Sequence, residues 1–368
     1  MKRKASLLIP DFLPLAGAEK ILLDLAHDQL LRGFDVDVIT CYETQNISNF
    51  FSKEIRLINF NSHSLSQSFI PLVKYLKQEK PDVLVVFMWP LTVVAILAKI
   101  VALSSVRLIT TDHNTLSMQY ASKSFLMKMG LRFSIMLTYP FAKYRVAVSR
   151  GVAKDLMQLS KLKQNSFKVI YNPIKVMPST PLGRDFANEI WDVLGTGTRI
   201  LNVGRLKRQK NQKLLLEAFA QVLEVFDASL VILSDGEDAI KKELQLYIAE
   251  HDLKNRVRLV PHVDDLTAWY ESSDMFVLSS DYEGFGNVLV EALNAGLPIV
   301  STDCPSGPSE ILSGGEFGRL VPVGRSDLLA HAIIETKYDH PSSCILKNRA
   351  KVFMGDSAFL EYSSLMHD

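Results

Sequence analysis

The chain has 368 residues, is 48% hydrophobic and has a mean hydropathy of +0.11, enough for two domains with large cores. Its three cysteines, Cys41, Cys304 and Cys344, are odd in number and scattered, which excludes a disulfide framework or a cysteine metal site and reads as free thiols of a reducing compartment. The net charge of +1 conceals a division: residues 1–175 hold 23 Lys and Arg against 12 Asp and Glu, and residues 176–368 hold 18 against 28. A basic first half suits anionic lipid or polyphosphate, or docks on the acidic second half; the acidic half, with no recognised module, argues against nucleic acid.

Met1-Lys-Arg-Lys resembles the start of a secretion signal, but only about five apolar residues precede Pro10-Asp11, so a first β-strand is expected at Ala5–Ile9. Further short β-branched runs follow at Asp35–Thr40, Val83–Phe87, Arg107–Thr111 and Arg145–Val148, with helical stretches between them, such as Glu19–Leu31. The stretch Val83–Leu103 is apolar enough to span a bilayer. Trp89-Pro90 interrupts it and Lys99 lies inside it, so a buried strand, a turn and a buried helix at Leu91–Leu103 are expected instead. Between Asn172-Pro173 and Gly197 the alternation breaks, and Pro173, Pro178 and Pro181 have the chemistry of a linker. Strands resume at Arg199–Val203, Ser229–Leu233, Val257–Leu259, Met275–Leu278 and Pro298–Ser301, around helices at Gln212–Val225 and Asp238–Glu250. Two such series predict an α/β protein with two doubly wound parallel-sheet domains facing a cleft.

Ligands of open α/β sheets gather beyond the carboxyl ends of the strands, so residues just after strands carry the candidate chemistry. After Arg199–Val203 comes Gly204-Arg205-Leu-Lys-Arg-Gln-Lys210-Asn211. Gly204 permits close backbone approach, and Arg205 and Lys210 place two cations where they would stabilise a departing diphosphate. After Met275–Leu278 comes a loop, Ser279–Asn287, and then a helix, Val288–Ala295, ended by Gly296 and Pro298. Glu283 stands on the loop at the helix mouth and Glu291 lies inside the helix. Backbone N–H groups of Phe285, Gly286, Asn287 and Val288 between the two acids form a phosphate seat. Acids flanking a phosphate seat suit a nucleoside diphosphate-sugar, one acid on the sugar and the other on the ribose.

The segment Glu283-Gly-Phe-Gly-Asn-Val-Leu-Val-Glu291, with Gly296-Leu-Pro298 after it, resembles the E-x7-E signature of the retaining GT-B glycosyltransferases of family four, in its bacterial surface-polysaccharide subgroup. The resemblance implies an N-terminal Rossmann-like acceptor domain (1–175), a C-terminal donor domain (176–345) and a C-terminal helix (346–368) packing back toward the first domain. It implies that Glu283 holds donor-sugar hydroxyls, that Glu291 holds the ribose, and that Arg205 and Lys210 stabilise the diphosphate. Thr111-Asp112-His113-Asn114 follows a strand where the family carries a functional histidine, so His113 is expected to contact the transferred sugar. Leu15-Ala16-Gly17-Ala18-Glu19-Lys20 resembles the family's Gly-Gly-Ala-Glu-Arg loop, with Ala16 and Lys20 as departures; Gly17 is expected near the phosphates. Leu233-Ser-Asp-Gly236 resembles a Gly-x-Gly-Pro loop with one glycine lost, and His262 falls where the family seats the base. Ser306-Gly307-Pro308 resembles a segment common in bacterial surface-glycan transferases and is read as a turn without chemistry. Asp35-Val36-Asp37 is formally a metal-binding D-x-D, but both aspartates are read as solvated turn residues at the amino end of a strand. No metal or other cofactor is expected.

The donor implied is a UDP-sugar, with a GDP-sugar as the alternative, and the acceptor a glycan or a sugar on polyprenyl diphosphate. Lys123–Arg145 carries five basic residues, many bulky apolar ones and no acid, the composition of an interfacial segment on anionic lipid; a buried helix with a basic rim is the competing reading. The lipid reading makes the protein cytoplasmic and peripheral on the inner membrane face. Competing functions are a sugar-nucleotide epimerase of the same fold and a non-catalytic lipid- or polyanion-binding protein.

Overall fold

The computed structural model describes residues 2–12, 17–42, 47–261, 263–355 and 357–367. The chain forms two units, one running to Pro173 and including the C-terminal helix Ser357–His367, the other Ile174–Gly355.

The first unit is built on strands β1 (Lys4–Ile9), β2 (Asp35–Thr40), β3 (Arg56–Asn59), β4 (Val83–Phe87), β5 (Arg107–Asp112), β6 (Tyr144–Ala147) and β7 (Lys168–Val169). They form one parallel sheet in the order β3-β2-β1-β4-β5-β6-β7. Strand β4, Val-Leu-Val-Val-Phe, is buried throughout, as a central parallel strand covered on both faces must be. Helix Leu91–Ala102 follows it after Trp89-Pro90, so the apolar stretch 83–103 is strand, turn and helix. No helix among the described residues is long and apolar enough to cross a membrane.

The second unit holds β8 (Thr198–Val203), β9 (Ala228–Leu233), β10 (Val257–Val260), β11 (Met275–Leu278), β12 (Ile299–Thr302) and β13 (Arg319–Val321), again all parallel, in the order β10-β9-β8-β11-β12-β13. Each sheet reverses its winding once, beside its first strand: between β1 and β4, and between β8 and β11. Phe276 pairs with Leu201, which puts Leu278 level with Val203, so the loops leaving these two strands start side by side.

The expected helix over 346–368 is corrected. Helix Ser343–Ala350 packs on helix Asn287–Ala295 within the second unit, and the chain then turns through Lys351–Phe353 and Gly355. Only Ser357–His367 belongs to the first unit, where Phe359, Tyr362, Leu365 and Met366 complete the core over β1 and helix Gly17–Leu31. The D-x-D reading is corrected too. Asp37 is 3% exposed, inside β2. Its carboxylate accepts both Nε (2.8 Å) and Nη2 (2.6 Å) of Arg56 and the hydroxyl of Tyr75, pinning β3 and helix Phe69–Glu79 to the sheet. A carboxylate so paired is structural.

Candidate active site

The second unit brings its site together where the strand order reverses, the place at which open α/β sheets bind ligands. Two loops meet there. Asp281 N–H donates to the Gln209 carbonyl (2.8 Å) and Gln209 Nε2 to the Tyr282 carbonyl (2.8 Å). Asn211 Nδ2 donates to Asp281 Oδ1 (2.8 Å), and Ser279 Oγ to the Lys210 carbonyl (2.9 Å). These four bonds fix the loops so that Lys210 Nζ lies 2.6 Å from Glu283 Oε1, which also accepts the Ser280 hydroxyl at 2.6 Å. Glu283 is 5% exposed. Lys210 is half-buried, and in a charge-assisted pair of this kind each partner neutralises the other. Lys210 is therefore not the independent cation the sequence suggested. Arg205 stays exposed, with no ion pair among the described residues, and its carbonyl accepts Gln212 Nε2. Gly204 lies against the Lys210 side chain, which a Cβ there would touch at an ordinary contact distance of 3.4 Å.

Helix Asn287–Ala295 opens at Gly286, whose φ of +97° is open to glycine at no steric cost. No side chain caps this end, the arrangement that suits an anion. Asn287 and Val288 are half-buried, and the Phe285 ring is buried against Phe353, so Phe285 offers its backbone and not its side chain. Glu291 Oε2 accepts the hydroxyl of Tyr270, 2.9 Å away, which orients that carboxylate from a separate helix, Leu266–Glu271.

Ser306-Gly307-Pro308 has a clearer part than a plain turn. A Cβ on Gly307 would lie 1.8 Å from the Phe285 carbonyl oxygen, and the residue sits at φ +93°. Glu283 N–H donates to Pro305 O (3.2 Å), and Thr302 Oγ1 to Ser280 O (2.6 Å). This stretch is the wall behind the glutamate loop. Burial pushes the Cys304 thiol up, which makes it inert beside the site. Gly236 holds the other loop from behind, where Leu206 N–H donates to Asp235 O (2.8 Å).

In the first unit His113 follows β5. Its ring stacks on Phe87 (5.4 Å, 17°), and Nε2 lies 3.0 Å from Thr111 Oγ1, which is 3.1 Å from the Tyr362 hydroxyl. Burial lowers the His113 pKa to about 3, so the ring is neutral near pH 7 and exchanges hydrogen bonds, not charge. Asp112 points the other way, accepting the Tyr139 hydroxyl (2.8 Å); burial raises it to about 7. It takes no part in the histidine's hydrogen-bond chain. Gly17 opens helix Gly17–Leu31; Leu15 and Ala16 of the same motif, and His262, lie outside the described residues. Among the described residues no group of three or more His, Cys, Asp or Glu is placed to hold a metal ion.

The sequence reading missed Ser280, Asn211, Gln209 and Tyr270. The polar run Ser279-Ser-Asp281 after an apolar strand was a signal for the first; nothing in a separation of 21 residues announces the Tyr270–Glu291 bond.

Two parallel-sheet α/β units define the class, and solved structures agree. HepE of Anabaena, crystallised in complex with UDP and glucose, superposes with a TM-score of 0.80 over 99% of both chains at 21% identity. WaaG, a glycosyltransferase of lipopolysaccharide biosynthesis, superposes at 0.74 over 98% of both chains at 16% identity. The fold is GT-B. Residues 15–176 match the family model described as Glycosyltransferase Family 4, and residues 197–338 the one described as Glycosyl transferases group 1. The chain belongs to this glycosyltransferase family. A Campylobacter jejuni relative, N-acetylgalactosamine-N,N'-diacetylbacillosaminyl-diphospho-undecaprenol 4-alpha-N-acetylgalactosaminyltransferase, is 31% identical over 67% of this chain and 64% of its own length. The lipopolysaccharide 1,6-galactosyltransferase of Escherichia coli is 28% identical over 54% of this chain and 52% of its own. The chain thus spans less than two thirds of either relative.

Proposed function

We propose that the chain is a retaining glycosyltransferase that moves a hexose or N-acetylhexosamine from a UDP-sugar to a glycan or a polyprenyl-diphosphate-linked sugar in bacterial surface-polysaccharide synthesis. The observation that carries this is the ion pair of Lys210 with the buried Glu283, with Glu291 held eight residues further on, flanking an uncapped helix mouth at the strand-order reversal. The names of the Campylobacter and Escherichia relatives support the acceptor class, and the UDP complex of HepE supports the nucleotide.

In this reading the helix mouth at Gly286–Val288 receives the diphosphate, and Arg205 supplies the cation that Lys210, shared with Glu283, only partly supplies. Glu283 accepts hydroxyls of the donor sugar, and Glu291, oriented by Tyr270, accepts those of the ribose. Gly17 and Gly204 let backbone approach the phosphates, His262 lies by the base, and neutral His113 hydrogen-bonds the transferred sugar. The bond from the anomeric carbon to the phosphate oxygen breaks as the acceptor oxygen bonds to the same face. The acceptor's proton passes to the departing phosphate. An acceptor carried on polyprenyl diphosphate places the protein in the cytoplasm, on the inner membrane face.

Saturation-transfer NMR with a panel of UDP- and GDP-sugars, without added metal, is the test. Contact with one UDP-sugar is expected; contact with none overturns the donor assignment, and contact with a GDP-sugar alone changes the nucleotide.

A further inference from the structure

Helix Phe125–Thr138 buries Leu131, Ile135 and Thr138 and leaves Leu126, Phe133 and Leu137 exposed by 81%, 45% and 63%. At about 100° per residue those three fall within roughly 40° of one another, on the side away from the buried stripe. A surface helix of a globular unit normally carries charge there. Exposed Phe125 and Phe141 continue the bare stripe at its two ends. Helix Leu91–Ala102 packs alongside, tied by Trp89 Nε1 to Ser134 Oγ (3.1 Å) and by the Thr92 and Tyr139 hydroxyls (3.0 Å). It adds exposed Leu97, Ile100 and Val101, and Leu103 at its end is 92% exposed. Two neighbouring helices thus present apolar side chains to water, the mark of an interaction surface.

The charge around them has one sign. Between Asp112 and Asp155 there are seven Lys and Arg and no carboxylate. Arg145 is spent internally, donating to the carbonyls of Tyr139, Ala142 and Ser166, but Lys123, Lys128, Arg132 and Lys143 are exposed. At the amino ends of β1, β4 and β5 lies a crevice of about 420 Å³ lined by Arg3, Lys80, Asp82, Lys99, Arg107 and Lys143. Two of its cations come from the surface just described: Lys99 from the first helix and Lys143 from just beyond the second. Arg3 and Arg107 already donate to the carbonyls of His367 and Met366, whereas no ion pair holds Lys80, Lys99 or Lys143 among the described residues. Asp82 is committed to the Lys4 backbone N–H (2.7 Å).

We propose that these two helices are the face on which the first unit lies against an anionic bilayer, and that the Lys99–Lys143 crevice takes up a lipid phosphate. Apolar side chains enter the acyl boundary while flanking cations meet headgroups, the arrangement of an interfacial helix. An acidic protein partner would also match the cations; the bare stripe of leucine and phenylalanine, with no acid for 42 residues, fits a continuous lipid surface better. This deepens the membrane-facing acceptor reading and rests on it.

The test is flotation of the full chain with vesicles of phosphatidylcholine alone and of phosphatidylcholine with phosphatidylglycerol. The protein is expected to float with the second and stay down with the first, and high salt to weaken the binding. Leu126→Glu with Phe133→Glu should cut the bound fraction about tenfold, since two charges then enter the acyl boundary. Lys99→Gln with Lys143→Gln should lower the fraction bound to the phosphatidylglycerol vesicles severalfold, and a variant that floats like the parent overturns the crevice assignment. A parent that ignores both vesicles, or an Leu126→Glu/Phe133→Glu variant that floats like the parent, overturns the proposal. UDP-sugar contact measured by NMR on the same samples separates the readings. Retained contact with lost flotation removes the docking face alone, and flotation without contact removes the donor reading alone.

Discussion

The two units share one architecture but build their candidate residues from opposite materials. In the second unit a buried carboxylate meets a half-buried ammonium at 2.6 Å, on loops sewn to each other by side-chain and backbone bonds. In the first unit a neutral imidazole leans on a phenyl ring and shares one hydrogen bond with a Thr–Tyr chain. Charge needs partners when buried, and the second unit supplies them from two strands at once. A neutral ring needs only packing and one bond, so a single strand end suffices.

Breaking the charged pair should have the largest effect. Glu283→Gln keeps the volume and a hydrogen bond to Ser280 and is expected to lower transfer about 10²- to 10³-fold with the fold intact, read by kinetics beside circular dichroism. Lys210→Ala leaves the buried Glu283 carboxylate alone and should cost about 3–5 kcal/mol of the second unit's stability in denaturant unfolding, and Glu283→Ala, which leaves a half-buried ammonium, should cost less. The paired change Lys210→Met with Glu283→Leu should recover most of that stability and none of the activity. If it recovers neither, the pair is not what holds the loops.

Next in size is the wall. Gly307→Ala places a methyl against the Phe285 carbonyl and forces a left-handed backbone on alanine, a strain of about 1–3 kcal/mol. Weaker donor binding should accompany it, because the helix mouth shifts; an unchanged affinity by titration would detach the wall from the site. Smaller still, Tyr270→Phe removes one hydrogen bond to Glu291, about 1 kcal/mol, and should raise the donor KM roughly fivefold while leaving kcat near parental.

The smallest effect sharpens the first unit. Burial lowers His113 to about 3 from 6.5, so the folded state binds fewer protons than the unfolded one between those values, and its contribution to stability falls as pH drops below 6.5. Burial raises Asp112 to about 7 from 3.8, so there the folded state binds more protons, and its contribution falls as pH rises from 3.8 to 7. The two slopes oppose each other over the shared range. His113→Gln should leave stability declining from pH 4 to 7, and Asp112→Asn should leave it rising from pH 3 to 6.5. Parallel profiles for both variants in urea titrations would mean that neither group is buried as found.

Much of the fold was legible because buried parallel strands are rich in β-branched and aliphatic residues, and in ten of the strands these dominate even where a charged or polar residue intervenes, as in Asp-Val-Asp-Val-Ile-Thr of β2. Strands β3, β7 and β13 lacked that signal: all three are short, and each lies at or next to a sheet edge, where one side meets water and mixed residues are tolerated. Glu283, Glu291, Arg205 and Lys210 could be named from local spacing, since a strand, a glycine turn and a helix mouth are contiguous in sequence. Their partners could not. Lys210 meets Glu283 across 73 residues and Tyr270 meets Glu291 across 21, through a strand order that reverses at β8, and no local pattern encodes which loops will lie side by side. The same reason hid Asp37: its motif resembled a metal site, but Arg56 reaches it only once β3 pairs with β2. By itself the sequence determined where the main apolar strands lie, where strands turn into helices and which side chains carry charge, because propensity and periodicity act over a few neighbours. Only the tertiary structure decided which charges neutralise each other and which apolar faces stay uncovered, because those depend on strand order and packing between distant segments.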